Sequence, residues 1–248
     1  MSSSKIQFFG FSDIGVREKN QDFWTSLPKE NFFALADGMG GHNGGEIAAK
    51  QTIESISNYI RKNVYPLKKF SLKKKIGILT QGIYQTNAHI YQLSCDHNHL
   101  KGMGTTLCFI YFQNEKAIYA HVGDSRVYLF RKNQLIQLTD DHSLIQKWKN
   151  QGKDIHSRKH KHNYKNIITR AIGTQKRVSP EIGHITTEEN DVFFLCSDGL
   201  TDYVPENQII EILSGTLELN QAVELLIEIA KVNGSKDNIT ILMIRIDT

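Results

Sequence analysis

Residues 32–41 read Phe-Phe-Ala-Leu-Ala-Asp37-Gly38-Met39-Gly40-Gly41, an apolar run that leads directly into a carboxylate and a glycine-rich turn. A short apolar run bounded by a turn signal is typical of a buried strand. Such a strand fixes the carboxylate, and the glycine lets backbone or ligand approach closely because it has no Cβ. The stretch therefore predicts an acidic site at the end of a strand in a buried sheet.

The same arrangement occurs twice more, as Asp198-Gly199 after one apolar run and as Gly123-Asp124 after another. One Asp-Gly pair is usually a plain turn. Three acidic residues, each closing a strand of the buried type, indicate a shared site. Carboxylate and carbonyl oxygens, without Cys or His at these positions, favour Mg²⁺ or Mn²⁺ over zinc.

Hydrophobic periodicity predicts the secondary structure around these motifs. Helical spacing of apolar residues indicates helices at Glu46–Arg61, Lys73–Leu93 and Leu219–Val232. Short polar connections between apolar runs favour antiparallel neighbours. We therefore expect an α+β fold in which helices cover a largely antiparallel double sheet. The predicted strands are Lys5–Asp13, Asn31–Ala36, Thr106–Phe112, Ala117–Gly123, Arg126–Arg131, Asp191–Ser197 and Asn238–Ile246.

Composition excludes several protein classes. The 248 residues include 40% hydrophobic and 23% charged residues, as in ordinary globular chains rather than collagen-like or low-complexity ones. Three cysteines without a CxxC pair argue against a disulfide framework and favour a reducing compartment. No signal peptide and no apolar run of the ~18 residues that a membrane span needs can be recognised. We expect a cytoplasmic protein with one domain over residues 1–248.

Seven motifs, in order along the chain, resemble those of the metal-dependent (type 2C) protein serine/threonine phosphatases, the PPM family. No single motif would be specific, but seven in register are. The resemblance implies a compact bacterial-type catalytic domain. It also implies a four-layer α-β-β-α sandwich, with two mostly antiparallel sheets packed face to face and helices on both outer faces. The motifs are Arg17-Glu-Lys-Asn20-Gln21-Asp22, Ala36-Asp37-Gly38-Met39-Gly40-Gly41, Gly104-Thr105-Thr106, Gly123-Asp124-Ser125-Arg126, Asp141-His142, Leu195-Cys-Ser-Asp198-Gly199-Leu200 and Asp237-Asn238.

The resemblance implies a two-metal centre. Asp37 would bridge two Mg²⁺ or Mn²⁺ ions, and Asp198 and Asp237 would complete the shell of one of them. The carbonyl of Gly38 would belong to the shell of the other, and Asp22 would hold a metal-bound water. A water or hydroxide bridging the two ions would then attack the phosphorus atom.

Further roles are implied for residues around this centre. Asp124 would join Asp198 at a third, weaker metal site, and Arg17 would bind two phosphoryl oxygens with its guanidinium group. Some family members have a histidine directly after the first Asp-Gly, but Met39 stands there in this chain. His42 is the nearest imidazole, so it is a candidate proton donor, although a polar loop residue is the more ordinary interpretation.

A basic stretch follows the Asp141-His142 motif. The formal net charge is only +4, yet Ser143–Arg177 carries ten Lys or Arg residues against the single acid Asp154. In the resembled family this region is a flap beside the active site. We expect a mobile basic flap over residues 144–170, with Trp148 anchoring a short helix, because the stretch has few apolar residues to bury.

The flap suggests how substrate is attracted. Arg158, Lys159 and Lys161 would steer an anionic phosphoprotein towards the site, although a solvated charge run is an equally good interpretation. The resemblance implies a phosphoserine/phosphothreonine phosphatase that opposes a bacterial Ser/Thr kinase. A phosphatase of a small phosphorylated metabolite is the alternative, and a nucleic-acid-binding pseudoenzyme is a weaker one. We expect a monomer that binds neither nucleic acid nor membrane.

Overall fold

The computed structural model describes residues 5–40, 44–63, 70–153, 164 and 167–247. The helices are α1 (Gly44–Asn63), α2 (Leu72–Asp96), α3 (Leu144–Asn150), α4 (Asp198–Thr201), α5 (Glu206–Leu213) and α6 (Leu219–Val232). The strands are β1 (Lys5–Asp13), β2 (Asp22–Leu27), β3 (Phe32–Met39), β4 (Gly104–Thr105), β5 (Leu107–Gln113), β6 (Lys116–Val122), β7 (Arg126–Arg131), β8 (Gln134–Gln137), β9 (Glu181–Thr186), β10 (Val192–Cys196) and β11 (Ile239–Asp247).

The strands form two sheets, and the pairings between the described strands are antiparallel. One sheet has the order β1-β11-β10-β7-β8, and the other has the order β2-β3-β5-β6-β9 with β4 paired to β3. The strands nearest the two ends of the chain, β1 and β11, pair along their whole length from Lys5↔Asp247 to Asp13↔Ile239. Residues distant in sequence therefore meet at one edge of the sandwich.

Alternation along β3 shows how the layers are built. Phe33 and Leu35 belong to the apolar cluster between the two sheets, whereas Phe32, Ala34 and Ala36 belong to the cluster beneath α1 and α2. Successive side chains of a strand point to opposite faces, so both faces of β3 are buried. The rings of Phe112 and Phe193 lie 5.3 Å apart and join the sheets from opposite sides.

A third apolar cluster lies on the outer face of the other sheet. There α6 contributes Val223, Leu226, Ile227 and Ala230, which recur at helical spacing and pack with Phe194 and Met243 of the sheet and their neighbours. The helical residues form one stripe because three and four positions bring a helix back to the same face. Helices cover both sheets, and the predicted four-layer α-β-β-α sandwich is confirmed.

Predicted element bounds are accurate where the local pattern is strong. Strands β1 and β7 and helix α6 have the predicted bounds. The prediction that β3 ends at Ala36 is wrong, because Gly38 and Met39 still pair with Thr105 and Gly104 of β4. Asp37 consequently lies inside a strand and not in a turn after it. The sequence analysis also missed β2, β4, β8, β9, α4 and α5, which are short or carry mixed polar and apolar residues.

A short helix, α3, stands where the basic flap is predicted to begin. Helix α3 begins after Ser143, whose side chain accepts a hydrogen bond from the Gln146 backbone at 3.1 Å. The Trp148 ring packs edge-on against Tyr164, with ring centroids 5.2 Å apart. The candidate residues His42, Arg158, Lys159 and Lys161 lie outside the described residues. In the part of the chain that is described, no helix has the length and apolar character needed to cross a membrane.

Candidate active site

Two acidic side chains face each other across neighbouring strands. Asp22 begins β2 and is the direct register partner of Asp37 in β3. Like charges directly opposite each other in an antiparallel pair destabilise a sheet. The pair therefore requires either a shared proton or a cation.

Hydrogen bonds from β11 and from the end of β10 hold one oxygen of Asp22. Its Oδ2 accepts from Thr240 Oγ1 at 2.6 Å and from Ser197 Oγ at 2.8 Å. Its Oδ1 is buried and has no hydrogen-bond partner among the described residues. Burial raises the pKa of Asp22 to about 6, although these two hydrogen bonds act in the opposite direction. A buried carboxylate oxygen without a partner is the kind of group that a cation or an ordered water satisfies.

The backbone around Asp37 is held rigidly by the Thr105-Thr106 motif. The Asp37 carbonyl accepts from the Thr106 backbone at 2.8 Å and from Thr105 Oγ1 at 2.7 Å. The Asp37 N–H donates to Thr106 Oγ1 at 2.9 Å. The next residue, Gly38, cannot be replaced by a residue with a Cβ, because that atom would collide with the carbonyl oxygen of Gly45. The close approach of these backbones fixes the direction of the Asp37 side chain.

Burial and mutual repulsion raise the pKa values of the central carboxyls. The pKa of Asp37 is raised well above its usual value, first by burial and then by the charges of Asp22, Asp198, Asp124 and Asp237. The pKa of Asp198, the first residue of α4, is likewise raised well above its usual value by burial and by the charges of Asp124 and Asp237. These mutual effects show that the structure brings the predicted acidic residues together.

Asp124 lies between β6 and β7 and is buried. Burial, followed by the charge of Asp141, raises its pKa to about 7. Asp141 itself forms a two-bond ion pair with Arg126, at 2.8 and 2.7 Å. The positive charge of Arg126 lowers the pKa of Asp124 but does not offset burial, so Asp124 is also a carboxyl that a bound cation would stabilise.

Arg17 lies at the rim of the cluster. Its Nη2 donates to Asp237 Oδ2 at 2.8 Å and its Nε donates to the Lys236 carbonyl at 2.8 Å. The side chain remains 53% exposed. Asn238 ties the adjoining loop to the site, because its Nδ2 donates to the carbonyls of Ile14 and Lys19. Arg17 is thus anchored at one side of the cluster while much of its guanidinium surface faces outwards.

The donor set fits hard divalent cations. Among the described residues the cluster consists of carboxylate and carbonyl oxygens, which are the ligands of Mg²⁺ and Mn²⁺. Cations would ionise the raised carboxyls, satisfy Asp22 Oδ1 and remove the repulsion between Asp22 and Asp37. The chemistry open to such a site is the activation of water against an anionic ester.

Sequence reasoning assigned no role to the residues that support this cluster, although Thr106, Ser125 and Ser197 stand within the quoted motifs. Ser197 and Thr240 hold Asp22, and Thr106 links Asp37 to Ser125 through a 2.6 Å hydrogen bond between their hydroxyls. Ser197 could have been suspected because it precedes Asp198. Thr240 carries no local signal, since its partner Asp22 is distant in sequence and only the sheet brings them together.

The four-layer sandwich and the cluster of buried carboxyls are together typical of metal-dependent phosphatases. A family model described as "Protein phosphatase 2C" matches residues 9–232. The match covers most of the chain, and the relatives below align over nearly their whole lengths. The chain belongs to the protein phosphatase 2C family.

Named relatives agree with this assignment. The serine/threonine phosphatase stp of Listeria monocytogenes is 32% identical over 94% of this chain and 92% of its own. Stp1 from Staphylococcus aureus, a serine/threonine phosphatase, has a structure with a TM-score of 0.88 and 32% identity, covering 100% of this chain and 96% of the other. The catalytic domain of the serine/threonine protein phosphatase PstP, solved in complex with two manganese ions, has a TM-score of 0.85 and 30% identity over 99% and 100%.

Proposed function

We propose that Asp22, Asp37, Gly38, Asp198 and Asp237 form the metal centre with which this chain, a metal-dependent serine/threonine protein phosphatase, hydrolyses phosphoserine and phosphothreonine. The observation that carries the proposal is the buried pair of facing carboxyls, Asp22 and Asp37, with one oxygen left unpartnered. Support also comes from the relative PstP, whose structure contains two manganese ions.

Each residue of the proposed metal centre has its own role. When bound, the two cations neutralise charge on the phosphoryl group and activate a water for in-line attack on phosphorus. Asp37 is assigned as the ligand shared by the two cations, because the charges of the other carboxyls all act on it. Ser197 and Thr240 keep Asp22 in place. We assign Asp124, with Asp198, to a third and weaker cation site.

Arg17 is proposed to bind the phosphoryl oxygens. A guanidinium has five N–H donors, and the contacts with Asp237 and Lys236 use two of them. The same contacts hold the side chain in one orientation before substrate arrives. A pre-oriented guanidinium fork matches the spacing of two phosphate oxygens.

Replacing Arg17 by Ala is expected to raise KM for p-nitrophenyl phosphate by roughly tenfold to a hundredfold, because the guanidinium binds phosphate in both ground and transition states. Steady-state kinetics with saturating Mn²⁺ measures the effect. Arg245→Ala is the matched control, since Arg245 forms an ion pair with Asp247 at 3.1 Å within β11. An unchanged KM for Arg17→Ala would make Arg17 only a structural partner of Asp237.

A substrate panel tests the function itself. The protein is assayed with phosphoserine and phosphothreonine peptides and with small phosphorylated metabolites, each with and without Mn²⁺. We expect Mn²⁺-dependent hydrolysis with a higher kcat/KM for the peptides. A clear preference for one small metabolite would favour the alternative function. Absence of Mn²⁺-dependent hydrolysis of every substrate would contradict both.

The basic flap is proposed to steer acidic phosphopeptides. Replacing Arg158, Lys159 and Lys161 together by Ala is expected to lower kcat/KM for an acidic phosphopeptide several-fold and to flatten its dependence on salt. Hydrolysis of p-nitrophenyl phosphate should be nearly unchanged, because a small substrate needs only Arg17 and the metal centre. Equal salt slopes for wild type and variant would identify the stretch as a solvated charge run.

We also propose that residues 1–248 act as one phosphatase domain with a basic flap near 144–170, in the cytoplasm, as a monomer that opposes a Ser/Thr kinase and binds neither nucleic acid nor membrane. The family match over residues 9–232 supports the single domain. Cys95, Cys108 and Cys196 are free thiols, which supports a reducing compartment. Size-exclusion chromatography with light scattering tests the monomer.

A further inference from the structure

His142 bonds through its backbone and its ring to three separate parts of the chain. Its N–H donates to the Gly123 carbonyl at 2.9 Å, and its own carbonyl accepts from the Thr169 backbone at 2.7 Å. In the other direction, the Gly123 N–H donates to His142 Nδ1 at 3.1 Å. The residue that precedes Asp124 is therefore bound to His142 through both its N–H and its carbonyl.

Gly123 depends on these hydrogen bonds for its position, because it has no side chain of its own to pack. Its φ of +110° is rarely adopted by other residues, and a Cβ there would lie 2.6 Å from Cγ2 of Thr106. Ser125 is held by Thr106, which also accepts from the Asp37 N–H. The Gly123–Ser125 loop is thus attached to Asp37 on one side and to His142 on the other, with Asp124 in the middle.

These contacts determine which nitrogen of His142 carries the proton. A backbone N–H can only donate, so Nδ1, which receives it from Gly123, must present its lone pair. The proton is then on Nε2. Of its two close neighbours there, Arg170 can only donate, so Glu181 Oε1, 3.1 Å away, is the one that can accept this proton. Arg170 Nη1 donates to the same oxygen at 2.8 Å and lies 3.0 Å from Nε2. Burial lowers the pKa of His142 to about 4, which keeps the ring neutral near pH 7.

A transition-metal site is the competing explanation for this cluster. His121, His142 and Glu181 offer ligand atoms that all lie within 4.8 Å of one another. However, a metal would need the lone pair on His142 Nε2, and that nitrogen carries the proton while Nδ1 accepts from Gly123. The hydrogen-bond pattern therefore favours a positioning cluster.

We propose that His142, held in a single tautomer by Glu181, is a positioning residue that sets the backbone of Gly123 and so directs Asp124 towards the third, weaker cation site. The inference rests on the proposed function, because it assigns a purpose to Asp124 within that metal centre. Orientation of one group by the hydrogen bond on the far side of an imidazole is a general property of histidine.

Two substitutions test the roles of the two ring nitrogens of His142 separately. In His142→Asn, the amide oxygen can occupy the position of Nδ1 and accept from Gly123, but the side chain is too short to reach Glu181. In His142→Gln, the longer side chain can place its amide near Glu181, but it then has no acceptor atom at the position of Nδ1, where Gly123 donates. A purely structural role predicts similar losses from both substitutions, whereas positioning predicts a difference.

Calorimetric titration with Mn²⁺ measures the effect without relying on turnover. We expect His142→Gln to weaken the weakest Mn²⁺ site by about tenfold or more, and His142→Asn to stay within about threefold of wild type. The Mn²⁺ concentration that gives half-maximal hydrolysis of p-nitrophenyl phosphate should shift in parallel. Melting temperatures show whether each variant is folded.

A substitution at Glu181 tests the proposal while leaving the buried imidazole of His142 in place, and Glu188 provides a matched control. Glu181 begins β9 and Glu188 lies two residues beyond its end. Both are about half exposed, and each pairs with an arginine, Arg170 and Arg131 respectively. Glu181→Ala should weaken the weakest Mn²⁺ site by about threefold or more. Glu188→Ala should leave it unchanged.

Several results would overturn the inference. One is wild-type Mn²⁺ affinity in both His142→Gln and Glu181→Ala. Another is stoichiometric Zn²⁺ binding that requires His121, His142 and Glu181 together, since zinc would need the lone pair on His142 Nε2. If wild-type protein itself shows no Mn²⁺-dependent hydrolysis, the proposed function fails. If the wild type is active and the variants match it, only the positioning role fails.

Discussion

Replacing Asp37 by Asn is expected to lower kcat for p-nitrophenyl phosphate by about a thousandfold or more, and at the same time to raise the melting temperature of the metal-free protein. Both effects come from one property of the site. Asp37 is the carboxyl on which the charges of Asp22, Asp198, Asp124 and Asp237 act. Removing its charge relieves repulsion in the metal-free fold but removes the ligand that the proposed mechanism places between two cations.

Turnover is expected to fall while the melting temperature of the metal-free protein rises, and a residue that only supports the fold would not change both in this way. Turnover is measured with saturating Mn²⁺, and melting is measured in excess EDTA at pH 7.5. Asp191→Asn is the matched control, because Asp191 is a buried carboxylate held by Arg131 at 2.7 and 2.6 Å. That substitution breaks a buried ion pair and should lower stability, by about 3 kcal/mol or more, without removing turnover from the folded enzyme. An Asp37→Asn variant that keeps high turnover would remove Asp37 from the metal centre.

Removing divalent cations is expected to abolish hydrolysis and to make stability fall as pH rises from 6.5 to 8.0. Burial and mutual repulsion hold the pKa values of Asp37 and Asp198 well above their usual value and that of Asp124 at about 7. In the unfolded chain these carboxyls are ionised throughout this range. The folded state binds more protons than the unfolded state, so its free energy of unfolding decreases with pH.

The window begins at pH 6.5 because histidines act in the opposite direction below it. Burial lowers the pKa values of His121 and His142, so stability rises as pH approaches their ordinary value of 6.5 and is then constant. Above that point the carboxyls dominate, at roughly 1.4 kcal/mol per pH unit for each one that stays protonated in the fold. One such carboxyl lowers the melting temperature by roughly 4–8 °C across the window in a protein of this size.

Scanning calorimetry in EDTA and in Mn²⁺ checks this result. With Mn²⁺ the slope should disappear or reverse, because the carboxylates must be ionised to bind the cation. Reactivation by Mg²⁺ or Mn²⁺ after chelation is the control for irreversible loss. A melting temperature that is independent of pH in EDTA would contradict the account of the cluster, and full activity after exhaustive chelation would contradict metal dependence.

Much of the site could be predicted from local sequence, for a physical reason. A carboxylate beside glycine at the end of an apolar run, as in Asp37-Gly38 or Asp198-Gly199, carries its own signal because burial and backbone freedom are local properties. The supporting residues lack such a signal. Serine and threonine hydroxyls are common on protein surfaces, so Thr240 could not be selected before the sheet was known, and Ser197 was marked only by its position before Asp198.

The sequence by itself determined the hydrophobic periodicity that forms β1, β7 and α6, the oxygen-rich donor set, and the basic charge of the Ser143–Arg177 stretch. Only the tertiary structure decided that Asp22 faces Asp37, that Thr240 bonds Asp22, and that the Gly123 N–H bonds Nδ1 of His142. Periodicity records how each residue is buried along its own strand or helix. Strand register, and the hydrogen bonds between residues distant in sequence, arise only when the two sheets close around the shared core.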